Sequence, residues 1–190
     1  MSSQRHSFIR NSIYLLITYS ILAAALYLIA GEQFYWRSSS QELFIPESTD
    51  GGEPLYGPHT LEQSLILEGD RLDRLGFKSC TYGRENEGLL FAQLMDESGA
   101  VLLSQTFDMS RLPDNDFVFL AMERPVPIIS GQWYTLRLSG LETSQERAAS
   151  AVYNSQAVLP EGVLRCDGAV LPGALCLNIE KSDALWLGPH

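Results

Sequence analysis

"LGFKSCTYGRENEGLLFAQLMD", residues 75–96, places two short apolar runs on either side of a compact polar insert. In the first run Leu75, Phe77, Ser79 and Thr81 fall on one side, and Lys78, Cys80 and Tyr82 on the other. That is the period of a half-buried strand, not of a helix. "LLFAQLMD" reads as the next strand. The insert, "GRENEG" at residues 83–88, gathers an arginine, two carboxylates and an amide, which could be chemistry or only a turn. It reads as a tight hairpin turn, with Asn86 and Gly88 supplying the positive φ that such turns require and the charges keeping an exposed tip soluble. A functional role for Arg84, Glu85 or Glu87 is then open only as a ligand contact at a sandwich edge.

The same grammar continues in both directions. "LEQSLILEG", "AVLLSQTFD", "DFVFLAMER", "QWYTLRLSG", "ASAVYN" and "ALCLNIEK" are strand-length apolar runs. Segments such as "DESG", "MSRLPDN" and "LPEG" separate them with turn residues. No window after residue 60 carries a helical period over three turns. The sequence therefore predicts an all-β domain over 61–190, an antiparallel β-sandwich of jelly-roll type.

The first sixty residues differ. No charge occurs from residue 11 to residue 31, and "SIYLLITYSILAAALYLIA" at 12–30 is almost unbroken apolar sequence. A helix of that length matches the roughly 30 Å hydrocarbon thickness of a bilayer. The expectation is a short N-terminal tail at 1–11, a transmembrane helix over 12–31 and a linker over 32–60 rich in Ser, Gly, Pro and acids. Arg5 and Arg10 precede the span and no acid does, which orients the N-terminus to the cytoplasm. Phe34, Tyr35 and Trp36 would sit at the headgroup layer. The rival is a cleaved signal peptide, whose apolar region is usually shorter, about 7–15 residues, and ends at small residues.

Only Arg5 and Arg10 of the 13 Lys and Arg precede residue 31, whereas all 23 Asp and Glu follow it. The exported part is thus more acidic than the whole chain's net charge of −10. Such a surface repels nucleic acid and anionic headgroups, so neither is an expected partner of the domain. Cys80, Cys166 and Cys176 are too few for a disulfide scaffold or a zinc site. One bridge is open to them; Cys166–Cys176 is the pair nearest in sequence, with Asp167 and Gly168 able to turn the chain, and Cys80 is the alternative partner.

Catalytic signatures are missing from the sequence. His6, His59 and His190 all lie outside the strand-rich segment, which leaves a Ser or Cys nucleophile without a base. "DND" at 114–116, with Asp108, could offer calcium oxygen ligands, but Asp and Asn in this setting more commonly bond their own backbone. The reading is of a chain that is no enzyme and needs no cofactor or metal. Trp133 is the most suggestive side chain. Alternation puts Tyr134, Leu136 and Leu138 toward a core, and Trp133, Thr135 and Arg137 on the outer face. There an indole can stack on a sugar ring, or else lie beneath the linker or the tail that carries Trp186.

The run from "GFKSCTYGRENEG" to "DFVFLAM", followed by "PIISGQWYTLRLSG", resembles the extracytoplasmic jelly-roll modules, like carbohydrate-binding domains, of membrane proteins in bacterial surface-polysaccharide pathways. The resemblance covers residues 61–180 and implies a sandwich with a saccharide-related role at the bacterial inner membrane, the C-terminal domain lying outside. Partners would be the bilayer through 12–31, and a polysaccharide or a polysaccharide-assembly membrane protein. On this reading Trp133 and Arg137, helped by Tyr82 and Arg84, are the ligand-binding residues. The alternative is a protein-interaction or structural subunit of a larger membrane complex. Full-length protein should resist carbonate extraction and lose its domain, but not its N-terminal tail, to protease added outside intact spheroplasts. A freely soluble product beginning near Gly31 would refute the anchor.

Overall fold

The computed structural model describes residues 2–30 and 37–184, with side chains at 12–26 and 38–183. It has two compact units: one contains residues 1–38 and 184–190, the other residues 39–183. Phe34, Tyr35, Trp36 and Trp186 lie outside the described residues.

The first unit holds one helix, α1 (Ser2–Ala30). Ile13, Tyr14, Leu15, Leu16, Ile17 and Tyr19 are all about half exposed or more. At 100° per residue this run covers every side of the helix, so no protein core buries any one stripe. Its hydroxyl at Thr18 donates back to the Tyr14 carbonyl at 2.8 Å, which satisfies it within the helix. Among the described residues no helix is long and apolar enough to cross a membrane.

The second unit is an antiparallel β-sandwich. In chain order its strands are β1 (Arg37–Phe44), β2 (Asp50–Gly51), β3 (Thr60–Leu67), β4 (Arg71–Cys80), β5 (Leu89–Asp96), β6 (Val101–Asp108) and β7 (Phe117–Phe119). There follow β8 (Val126–Pro127), β9 (Gln132–Leu141), β10 (Ser150–Asn154), β11 (Val163–Cys166), β12 (Ala169–Leu171), β13 (Ala174–Leu175) and β14 (Leu177–Ala184). One sheet runs β12-β11-β3-β9-β5-β6; the other runs β1-β14-β4-β10-β13, with β2 on β10 and both β7 and β8 on β4.

Alternation dictates what faces inward. Leu61, Leu65 and Leu67 of β3, Tyr134, Leu136 and Leu138 of β9, and Leu90, Ala92 and Leu94 of β5 meet Leu72, Leu75, Phe77, Leu177 and Ile179 from the facing sheet. Burial of these side chains is the main stabilising term. The Tyr134 hydroxyl ends at the backbone of Ile129, accepting its N–H at 2.7 Å. Gln63 is the polar exception, fully buried between the sheets. Its Oε1 accepts the Leu175 N–H at 2.9 Å, and its Nε2 donates to the Ser64 carbonyl at 2.9 Å.

Three sequence expectations change. The stretch read as a linker over 32–60 enters the sandwich: β1 pairs with β14, and Leu55 is fully buried in the core. Strand pairing uses backbone groups, so it needs no alternating side-chain pattern to announce it. The Leu55 segment lies so tightly on β9 that a Cβ at Gly140 would sit 1.7 Å from the Leu55 carbonyl oxygen. Secondly, residues 83–88 are no hairpin. They carry the chain from β4 in one sheet to β5 in the other, a path that two alternating runs permit equally well. Positive φ falls on Tyr82, Gly83 and Gly88, and not on Asn86.

Thirdly, the cysteines are all free and buried. Cys166 packs in the main core, whereas Cys176 joins Cys80 and Val152 in a separate cluster beside Ile45. Leu175 and Leu177 point into the core, so Cys176 between them faces away from it. The eight-stranded sheet therefore separates Cys176 from Cys166. Burial pushes the Cys176 thiol up to about 11.

Leu55→Ala should cost roughly 2–5 kcal/mol in denaturant unfolding of the full chain, as for a buried leucine. A loss within about 0.5 kcal/mol, as for an exposed linker side chain, would contradict this packing.

Candidate functional site

A cleft of about 670 Å³ opens at one end of the sandwich, between the 81–88 crossing, the 3-10 turn Met109–Arg111 and the loop before β10. It is lined by Arg84, Glu85, Glu87 and Arg147, with Asn86 and Ser110 among them. The crossing is anchored where β4 ends. Asp114 accepts the Thr81 N–H at 2.8 Å and the Thr81 hydroxyl at 2.7 Å. The Tyr82 hydroxyl donates to the Gly52 carbonyl, which helps hold Tyr82 at φ 59, a conformation rare outside glycine.

On the other side the Arg147 carbonyl organises the cleft. It accepts the Glu87 N–H at 3.0 Å and Asn86 Nδ2 at 3.1 Å, which uses both of its lone pairs. The Arg147 guanidinium returns to Glu87 at 3.0 Å. Arg84 donates to the carbonyls of Gln145 (3.2 Å) and Ala148 (3.0 Å), with its guanidinium 4.7 Å from the centre of the Tyr82 ring. A surface ion pair such as Arg147–Glu87 contributes little stability, at most ~1 kcal/mol, but it fixes the wall of the cleft.

Asn86 is the odd member. The residue is 5% exposed, and its Oδ1 has no hydrogen-bond partner. Rotating the amide does not relieve this, because Oδ1 would then face the Arg147 carbonyl. An unmatched amide acceptor costs about 1–3 kcal/mol, and this oxygen is closed off from the cleft's solvent by the burial of its side chain. Among the lining side chains two arginines stand with two glutamates.

The four side chains expected to bind together separate into two pairs. Arg84 lines the cleft, and Tyr82 lies beside it with its ring against the Arg84 guanidinium. Trp133 and Arg137 lie on the outer face of the six-stranded sheet, with Trp133 half-buried opposite Ile66. Arg137 Nε is 2.5 Å from Glu62 Oε1 on the neighbouring strand. Leu141, beside Leu89, ends β9 near the cleft, so Trp133 is about 26 Å away along the strand at ~3.3 Å per residue. Sequence reasoning passed over Asn86, Arg147 and Ser110 as ligand groups, since nothing local marks a residue whose partner lies some sixty positions on.

The remaining candidates have local roles. Asp108 caps the 3-10 turn through Ser110, and Asp116 accepts the N–H of Phe117. Asn115 Oδ1 receives the Ser48 hydroxyl at 2.9 Å. Among the described residues no group of His, Cys, Asp and Glu could hold a metal ion. His59, placed by sequence in a linker, meets Asp167 at 2.5 Å, and that carboxylate also accepts the Thr60 N–H. The pair clamps the start of β3 to the end of β11. No protein-family model and no curated protein matches this sequence.

The Thr81 hydroxyl and then the Thr81 N–H hold the Asp114 carboxyl below its usual range. A carboxyl depressed in the folded state adds stability above its unfolded value, near pH 4, and that stability fades as pH falls through the folded one. Asp114→Asn should therefore lower the urea midpoint at pH 7 and shrink its decline between pH 5 and about pH 2. An unchanged acid slope would rule out this role.

Proposed function

We propose that this chain is a non-enzymatic, membrane-tethered binding protein, whose β-sandwich holds a polyhydroxylated ligand of the saccharide class in the end cleft. The observation that carries this reading is the polar cleft itself, lined by Arg84, Glu85, Asn86, Glu87, Ser110 and Arg147. Arg84 and Arg147 have donors left for ring and hydroxyl oxygens, and Glu85 and Glu87 accept from hydroxyls. The connections β3 to β4, β4 to β5, β6 to β7, and β9 to β10 each pass from one sheet to the other, which supports the jelly-roll form of the sandwich.

The tether rests on the uncharged run at 11–31 and on the all-round exposure of large apolar side chains along α1. Such a surface is unfavourable in water and favourable in hydrocarbon. With Arg5 and Arg10 before the run, the N-terminus stays in the cytoplasm and the sandwich stands outside the inner membrane of a bacterium, beside surface-polysaccharide machinery.

Full-length protein should retain neutral oligosaccharides from an array that also carries uronate-containing ones. Arg147→Ala, which removes an exposed guanidinium from the cleft wall, should weaken retention at least tenfold, about 1.4 kcal/mol. Glu85→Ala, on an exposed side chain, should weaken it without moving the melting temperature. Trp133→Ala should leave retention unchanged. Loss of binding in Trp133→Ala alone would move the site to the outer face, and a wild-type protein that retains no saccharide would sink the reading.

A further inference from the structure

β6 ends the six-stranded sheet, and which of its backbone groups are free follows from one bond. The Met109 N–H donates to the Gly88 carbonyl at 2.9 Å, just beyond the Leu89↔Asp108 pair. Antiparallel pairs alternate between bonded and non-bonded. Leu90↔Phe107, Ala92↔Gln105 and Leu94↔Leu103 are therefore the bonded pairs, and Leu89↔Asp108, Phe91↔Thr106 and Gln93↔Ser104 are not. The N–H and C=O groups of Ser104, Thr106 and Asp108 consequently point away from β5, and no backbone bond within the described residues meets them.

This edge lacks the usual protection. β6 contains no Pro, Lys or Arg, and its register shift against β5 lies at the start of the strand, before Leu103. Its inner side is closed off, since Gln105 Oε1 accepts the Ala121 N–H at 2.5 Å. On the outer side Ser104, Thr106 and Asp108 are exposed.

The geometry points to a second copy of this chain pairing antiparallel on β6, with Thr106 opposite Thr106 on the two-fold axis. That register places Ser104 opposite Asp108 of the other copy, and every outward-bonding residue finds a mate. Each bonded pair exchanges two N–H···O bonds, about six in all. Paired Thr side chains, and Ser beside Asp, are favourable cross-strand neighbours, and no acid faces another acid. The alternation also keeps inward residues inward, so Gln105 meets Phe107 on the core side. The result is one sheet continuous through two molecules. This inference stands apart from the saccharide reading, because the cleft and β6's free edge involve different groups.

The test uses the purified full chain, in detergent where α1 requires it. Thr106→Cys should form a disulfide-linked dimer under mild oxidation, because Cα atoms of a bonded pair stand ~5.5 Å apart, within disulfide range. Ser104→Cys alone should not, but should cross-link when mixed with Asp108→Cys. Thr106→Pro removes an N–H that has no backbone partner among the described residues, so it should keep the wild-type melting temperature while weakening dimerisation at least tenfold by light scattering. A wild-type monomer at all concentrations would overturn the inference, as would equal cross-linking of Ser104→Cys alone. So would a dimer indifferent to Thr106→Pro, which would place the contact elsewhere, α1 included.

Discussion

The buried amide of Gln63 is the contact on which the two sheets' relation depends. It stands on β3 in the six-stranded sheet and reaches the Leu175 N–H in the other. That N–H needs it because strand pairing changes partners there. Ahead of Cys176 the chain pairs with β10, and after it with β4, while Cys176 itself bonds to Lys78 and Val152 on either side. A strand that changes neighbours leaves a backbone donor turned toward the core, where no water can satisfy it. Removing the Gln63 acceptor would leave that donor orphaned between two apolar layers. Leucines fill the space around the amide, but apolar packing is indifferent to register, and a hydrogen bond is not.

The same economy of partners explains the ends of the sandwich. At one place the chain before β3 folds in, so that Leu55 fills the core and its backbone rides over Gly140, a contact any side chain there would block. On the outer face of the eight-stranded sheet, Phe119 lies over Gly76, Arg74 caps its ring at 3.7 Å, and Phe117 and Phe44 extend the row. At the cleft the Asn86 amide bonds the Arg147 carbonyl, and the Arg84 guanidinium is held by the carbonyls of Gln145 and Ala148.

Alternation along the chain determined the all-β class, the antiparallel sandwich and most of the inward leucines. Period 2 is written locally, and one face of each strand must leave water. It also determined that Trp133 and Arg137 would share an outer face, while the unbroken apolar length of the N-terminal run marked it as helical. Tertiary structure alone decided which sheet each strand joins, that residues 83–88 cross between sheets, that the presumed linker supplies a core leucine, and that Cys166 and Cys176 face opposite ways. It likewise decided that Trp133 and Asn86 lie at separate places, the one on the outer face of a sheet and the other at the end cleft. The reason is common to all of these: a strand's pattern says which side is buried but not against what, and the partners of Asn86, Leu55 and Cys176 come from strands and loops far along the chain.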